Sequence, residues 1–77
     1  MNVDDEIDAS GLLCPLPVLR LRKKMKNLAK GLVIKIFSDD PAAEIDIPHF
    51  CLEENHKILK KKTKEHESGV TFYIKKC

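Results

Sequence analysis

Two prolines spaced two residues apart, Pro15 and Pro17, constrain the fold of this chain more than any other local feature. Proline has no amide hydrogen and a fixed φ, so it fits the first turn of a helix and disrupts later turns. The residues that follow have helical periodicity, with apolar side chains at Val18, Leu21, Met25 and Leu28. We therefore predict an amphipathic helix over residues 15–29, ended by Gly31.

The remaining apolar patterns predict four strands and a second, shorter helix. Residues 70–76 alternate between apolar and polar side chains, which is typical of a half-buried strand. A lysine-rich run at residues 57–64 is typical of an edge strand, because lysines protect exposed sheet edges. We predict strands at residues 6–9, 32–37, 57–64 and 70–76, and helices at residues 15–29 and 48–55.

The order of these elements, βαβαββ, predicts the fold class. Two helices and four strands in this order make an α+β two-layer sandwich, with both helices packed on one face of a four-stranded mixed sheet. The 77 residues leave room for one domain, which we expect to span residues 1–77.

Charge and apolar patterning exclude several classes of protein. The formal net charge is +2, too small to indicate a nucleic-acid binder. The chain starts with an acidic segment and has no apolar run of about 18 residues, so we expect a cytoplasmic protein that does not enter a membrane. Three cysteines, an odd number, favour reduced thiols over a disulfide framework.

Cys14 is the candidate nucleophile. It directly precedes the two prolines, so it lies at or next to the N-cap of the first predicted helix. Free amide groups and the helix dipole stabilise an anion there, and thiolates at helix N-termini have lowered pKa values. The sequence therefore predicts a reactive thiol with a lowered pKa. An inert, half-buried cysteine that closes the helix entry is the alternative.

Charged residues near this thiol have two interpretations each. The basic face of the first helix either steers acidic partners and favours the thiolate, or is an ordinary solvated face; it comprises Arg20, Lys23, Lys24 and Lys30. Asp40 before Pro41, and Asp46 two residues before Pro48, have the positions of helix-capping residues. We interpret both aspartates chiefly as caps.

The other cysteines and the histidines give no sign of a metal site. Cys51 falls near the apolar stripe of the second helix and is interpreted as a small core residue, whereas Cys77 is expected to be exposed. No pair of Cys or His residues has metal-ligand spacing, and the candidates are scattered over different elements: His49, Cys51, His56, His66 and Cys77.

Three sequence blocks together resemble a known family. They are Cys14-Pro15-Leu16-Pro17, Ser38-Asp39-Asp40-Pro41 and Asp46-Ile47-Pro48-His49-Phe50-Cys51, followed by His56. In this order they resemble the TusA/SirA-like family of small sulfur-carrier proteins, closest to its TusA members, over residues 8–76. Two positions depart from the family pattern: Leu16 stands where TusA members often have Glu, and Asn55 stands where Gly is common.

The resemblance implies a sulfurtransferase that works by a persulfide relay without a cofactor. Cys14 would receive sulfur from a cysteine desulfurase and pass it to a downstream acceptor protein, in an indirect link to 2-thiouridine formation in tRNA. Other members of the family serve molybdenum-cofactor supply, sulfur oxidation or selenium metabolism. Pro15 and Pro17 would support the thiol loop, and the residues that would contact partners are Leu16, Arg20, Lys23, Lys24, Asp46 and Phe50.

A function of a different class stays open at this point. Acidic and basic residues alternate in blocks along the chain, so a non-catalytic regulatory or protein-binding module could use a surface with separate acidic and basic regions, with Cys14 in a structural or redox-sensing role. A carrier with Cys14 replaced by Ser would keep its fold and lose sulfur transfer, whereas a binding module would keep its partner affinity. In either case we expect a monomer that binds its partners transiently.

Overall fold

The computed structural model describes residues 2–63 and 69–77, and it contains four strands and two helices in the predicted order βαβαββ. The elements are β1 (Asp5–Asp8), α1 (Leu16–Asn27), β2 (Val33–Ser38), α2 (Ala43–Glu53), β3 (Lys57–Thr63) and β4 (Val70–Lys75). The strands form one sheet in the order β1-β2-β4-β3. Since β1 is parallel to β2 and the other pairs are antiparallel, the sheet is mixed, and the predicted fold class is confirmed.

The core lies between the helices and one face of the sheet. Every second residue of β2 and β4 is buried, as the period of a strand requires when one face is covered. Leu21 and Met25 of α1 and Ile47 of α2 are buried in the same cluster. Each large apolar side chain of this kind contributes about 1.5–3 kcal/mol when it leaves water, so this layer holds the helices on the sheet.

The first helix matches its prediction except at its ends. Its N-cap is Pro15, and its last helical residue is Asn27 rather than Ala29. Gly31 has a positive φ of 91°, but it lies in the turn after the helix and does not cap it. The helix ends early because Leu28, its C-cap, is already extended and packs against the core. Pro17, which the apolar stripe did not include, is buried.

The second helix begins five residues before its predicted start. It starts at Ala43, after a turn at Pro41, and Pro48 lies inside it. Proline in a helix interior removes a backbone hydrogen bond and disfavours the helix by about 3 kcal/mol, which is why the sequence pattern placed the helix start there. The helix continues through Pro48 because Ile47, Phe50 and Cys51 are all buried.

The last two strands agree with their predictions where the structure describes them. β3 is an edge strand, and β4 buries Val70, Phe72 and Ile74. Lys64, the last residue of the predicted edge strand, and residues 66–68 of the predicted turn lie outside the described residues. Neither helix in residues 2–63 and 69–77 has the length and apolar character needed to cross a membrane.

The parallel pair of β1 and β2 determines where the functional loops lie. Because parallel neighbours end at the same edge of a sheet, the loop after β1 meets the loop after β2. The first loop contains Cys14, and the second contains Asp39 and Asp40. Residues that are more than 20 positions apart in sequence are thereby brought together at one edge.

Candidate functional site

Cys14 lies on the surface, in the loop between β1 and α1, one residue before the N-cap of α1. The sequence predicted this position, at or next to the helix start. The thiol is free and exposed, so a reacting group on another protein can reach its sulfur.

Two aspartates from the loop after β2 fix the backbone around this thiol. The Cys14 N–H donates to Asp40 Oδ2 at 2.5 Å, and the Gly11 N–H donates to the Asp39 carboxylate, 3.0 Å from Oδ1. The other oxygen of Asp40 accepts the Ala42 N–H at 3.1 Å, in the turn that leads into α2. The capping interpretation of Asp40 accounts for its contact with the Ala42 amide but not for its contact with the Cys14 amide. The same carboxylate therefore joins the thiol loop to the start of α2.

A third aspartate contacts the sulfur itself. Asp46 lies in the first turn of α2, and the Cys14 thiol donates a hydrogen bond to its Oδ2, with 2.9 Å between Sγ and the oxygen. The prediction that Asp46 is a helix cap is wrong, because α2 starts three residues before it. Because the helix starts earlier, Asp46 lies inside its first turn, where its carboxylate accepts the thiol hydrogen bond instead of capping the helix.

This contact raises the pKa of the Cys14 thiol. The hydrogen bond to Asp46 is the largest cause, because the thiol must keep its proton to donate to a carboxylate; partial desolvation and the negative charges of Asp46 and Asp40 act in the same direction. The predicted lowered pKa is therefore wrong, and no residue of the basic face of α1 is among the causes that act on the thiol. Two carboxylates therefore act against the thiolate at this sulfur.

The predicted partner-contact residues fall into two groups. Leu16, Arg20, Lys23 and Lys24 line an open groove between α1 and β1, and Lys24 forms an ion pair with Asp5 at 3.3 Å. Phe50 lies in the core with 3% of its surface exposed, so its ring offers no surface to a partner. Phe50 lies on the same helical face as the core residues Ile47 and Cys51, and its burial follows from that face.

Three large apolar side chains are exposed beside Cys14 or beside Asp46 in sequence, and of these the sequence predicted Leu16 alone as a contact residue. Leu13 is 71% exposed, and Leu16, on the other side of Cys14 in sequence, is 47% exposed. Ile45 neighbours Asp46 in α2 and is 75% exposed. Exposed apolar groups of this size are typical of surfaces that contact other proteins.

The other two cysteines differ from Cys14. Cys51 is buried in the core, as predicted, and burial raises its pKa to about 11. Cys77 is exposed, and its N–H donates to His56 Nδ1 at 3.5 Å. Among residues 2–63 and 69–77, no group of three or more His, Cys, Asp or Glu side chains is placed to hold a metal ion; His66 lies outside this range.

The sequence analysis did not identify Asp39 as a residue of the site. It identified Asp40 and Asp46 but not the contact of Asp40 with the thiol loop or the contact of Asp46 with the sulfur. A signal was available in the block Ser38-Asp39-Asp40-Pro41, which directly follows a strand. Polar residues just after a strand that is parallel to its neighbour lie beside the loop that follows that neighbour. The interpretation of Asp40 as a helix cap left this signal unused.

Comparisons with known proteins agree with the resemblance. Residues 5–76 match the family described as Sulfurtransferase TusA. The chain is 38% identical to the sulfur carrier protein TusA of Pseudomonas aeruginosa (strain LESB58) over 72 residues, which cover 94% of this chain and 87% of that protein. It is also 38% identical to the sulfur carrier protein TusA of Pseudomonas syringae pv. syringae (strain B728a) over 65 residues, or 84% of this chain and 77% of that one.

A solved structure agrees with the fold. The crystal structure of a SirA-like protein from Desulfitobacterium hafniense superposes with a TM-score of 0.80, covering 92% of this chain and 95% of that chain. The two sequences are 22% identical, so this likeness concerns the fold alone.

Proposed function

Since the chain belongs to the TusA family of sulfurtransferases, whose relatives are named sulfur carrier proteins, we propose that it carries a sulfane sulfur as a persulfide on Cys14. The sulfur comes from the persulfide of a cysteine desulfurase and goes to a cysteine of a downstream acceptor protein in the cytoplasm. The pathway that best fits the TusA relatives is 2-thiouridine formation in tRNA.

The observation that supports this proposal most directly is the exposed Cys14 sulfur on a loop whose backbone is held in place. Sulfur transfer between two proteins needs a nucleophilic sulfur that one partner can reach and then a second partner can reach again. Burial would prevent both steps, and a mobile loop would lower the fraction of time in which the sulfur points outward. The contacts of Asp39 and Asp40 reduce that mobility.

The exposed apolar side chains support transient docking around this sulfur. Leu13, Leu16 and Ile45 provide contact area that a partner can bury, and the groove beside Leu16 adds the basic residues Arg20 and Lys23. Asp46 is the acidic side chain that contacts the thiol, and position 16 carries a leucine where TusA members often have Glu. We propose that these residues select partners whose cysteine lies on an apolar surface.

The experiment is the intact mass of the protein after incubation with a cysteine desulfurase and cysteine. We expect the mass to increase by one sulfur atom on the peptide that contains Cys14, and we expect Cys14→Ser to abolish this increase. Cys77→Ser is the matched control, because Cys77 is also exposed, and it should load normally. A Cys14→Ser protein that still gains the sulfur would refute the proposal.

The alternative, a regulatory module with a redox-sensing Cys14, predicts no mass increase of one sulfur atom in this experiment. Its cysteine would form a sulfenic acid or a disulfide with an oxidant and would not pass sulfur onward.

The tRNA step has its own measurement: loss of 2-thiouridine in a deletion strain, restored by the wild-type gene and not by the Cys14→Ser gene. Unchanged 2-thiouridine would assign the carrier to another sulfur pathway.

A further inference from the structure

The contact between Cys14 and Asp46 poses a chemical problem for a sulfur carrier. A thiol is a poor nucleophile compared with its thiolate, and the carboxylate that accepts the hydrogen bond of this thiol raises the thiol pKa, so it lowers the thiolate fraction near neutral pH. A site whose purpose was only to make a thiolate would place a cation or free amides at the sulfur. This site places a carboxylate there, 2.9 Å away.

We propose that Asp46 is a catalytic residue that takes the proton from Cys14 as the sulfur attacks, and then returns a proton to the thiolate that leaves. This inference rests on the proposed function. A carboxylate in hydrogen-bond contact with the reacting group has the geometry of a general base, and the proton crosses only the bond that is already present.

The loading step then balances within the site. The Cys14 sulfur attacks the outer sulfur of a protein persulfide, R–S–S–H, while its proton moves to Asp46 Oδ2. The Sγ–S bond forms, the S–S bond of the donor breaks, and the electron pair of that bond goes to the inner donor sulfur. Asp46 then protonates the donor thiolate, so the products are Cys14–S–S–H, R–S–H and an ionised Asp46. The oxidation level of the sulfane sulfur is unchanged.

Unloading runs by the same step in reverse. The acceptor thiol gives its proton to Asp46 as it attacks the outer sulfur of Cys14–S–S–H, and Asp46 gives that proton to the leaving Cys14 sulfur. One carboxylate therefore serves both directions, which suits a carrier that must load and unload at similar pH.

The surroundings of the thiol assign this role to Asp46 rather than to another acid. Asp46 from α2 and Asp40 from the loop after β2 are the charged groups that act on the thiol, and Asp39 is bonded to the Gly11 amide. Asp40 uses its two oxygens for the amides of Cys14 and Ala42. Asp46 touches the sulfur, so Asp40 is a positioning residue and Asp46 exchanges the proton.

The test compares two reactions of Cys14 in wild type and in Asp46→Asn: sulfur uptake from glutathione persulfide, and alkylation by iodoacetamide. Asn keeps the side-chain shape and removes the base and the charge. At pH 7 we expect sulfur uptake to fall at least about tenfold, because general-base assistance contributes about 10²–10⁴-fold and a larger thiolate fraction returns part of it. We expect alkylation to become faster, because the thiol pKa falls when the carboxylate is removed.

The pH profile gives a second readout. Wild-type uptake should change little between pH 6 and 8, whereas uptake by Asp46→Asn should rise about tenfold per pH unit below the thiol pKa, in step with the thiolate. Asp46→Glu should restore part of the uptake. Glu44→Gln, which removes a negative charge from the same turn of α2, is the control and should leave both reactions unchanged.

Each outcome decides between specific alternatives. Two faster reactions in Asp46→Asn would mean that Asp46 only suppresses the thiolate, and two slower reactions would mean that it only supports the loop; either result, or no change, overturns the inference. If wild-type Cys14 takes no sulfur from the desulfurase or from glutathione persulfide, the proposed function itself fails. The alkylation measurement distinguishes that failure, because it reports the Asp46 contact without any sulfur transfer.

Discussion

The two cysteines at positions 14 and 51 both have a raised thiol pKa, and they show how the same shift can arise from opposite environments. Cys51 is buried in α2, and burial alone raises its pKa to about 11. Cys14 is exposed, and a carboxylate raises its pKa by accepting a hydrogen bond and by charge. The pKa of Cys51 is raised because burial removes water from the thiol, and the pKa of Cys14 is raised chiefly because a carboxylate accepts its hydrogen bond.

This difference matters for reactivity. The cause that acts on Cys51 is removed only when the core opens, so that thiol is inert in the folded protein. The cause that acts on Cys14 is a group that can take the proton away, so that thiol can react without any change of fold. A raised thiol pKa therefore does not by itself mark a structural cysteine, and the group responsible for the shift must be identified.

The largest expected difference between the two thiols is their rate of alkylation. Cys51 can react with iodoacetamide only through opening of the core, whose open population in a stable domain is about 10⁻³ or lower. We expect Cys51 to be labelled at least about 1,000-fold more slowly than Cys14 in native protein, measured by mass spectrometry of the labelled peptides. Exposed Cys77 is the reference. Labelling of Cys51 within tenfold of Cys14 would contradict its burial.

Replacing each thiol by a hydroxyl should separate the two sites by stability. Cys51→Ser places a more polar group in the core and should lower the free energy of unfolding by about 1–3 kcal/mol. Cys14→Ser lies on the surface and should change it by no more than about 0.5 kcal/mol. Urea unfolding measures both, and Cys51→Ala is the control for the lost volume. Equal losses would mean that Cys14 has a structural role.

Much of the core could be predicted from sequence, whereas the site could be predicted only in part. The stripe of α1 and the alternation of β4 identified core residues such as Leu21 and Phe72, because burial depends on local periodicity. The position of Cys14 next to a helix start was also local. The Asp46 contact was not, because it depends on where α2 begins, and Pro48 gave a misleading start. The predicted direction of the Cys14 pKa shift was wrong for that reason.

Loosening the thiol loop should have a moderate effect. Asp40→Ala removes the acceptor of the Cys14 and Ala42 amides, and each such hydrogen bond contributes about 0.5–1.5 kcal/mol. We expect urea unfolding to show a loss of about 1–2 kcal/mol, with sulfur uptake reduced because the sulfur is less well placed against Asp46. Glu44→Ala, in the first turn of α2, is the control for removing an acidic charge. A stable Asp40→Ala protein with full uptake would show that the hydrogen bonds of Asp40 to these two amides are dispensable.

The smallest effect concerns stability at alkaline pH. The folded pKa of Cys14 lies above its unfolded value, so its contribution to stability is present in full below about pH 8.5 and is lost as the pH rises through the folded pKa. Asp46→Asn moves the folded pKa toward the unfolded value, so the decline in unfolding free energy between pH 8 and 10 should become shallower. Cys51, with a pKa of about 11, contributes a decline of the same sign in both proteins, because burial does not depend on Asp46. The difference between the two urea-unfolding profiles therefore isolates the exposed thiol, and identical slopes would mean that the carboxylate does not hold the Cys14 proton in solution.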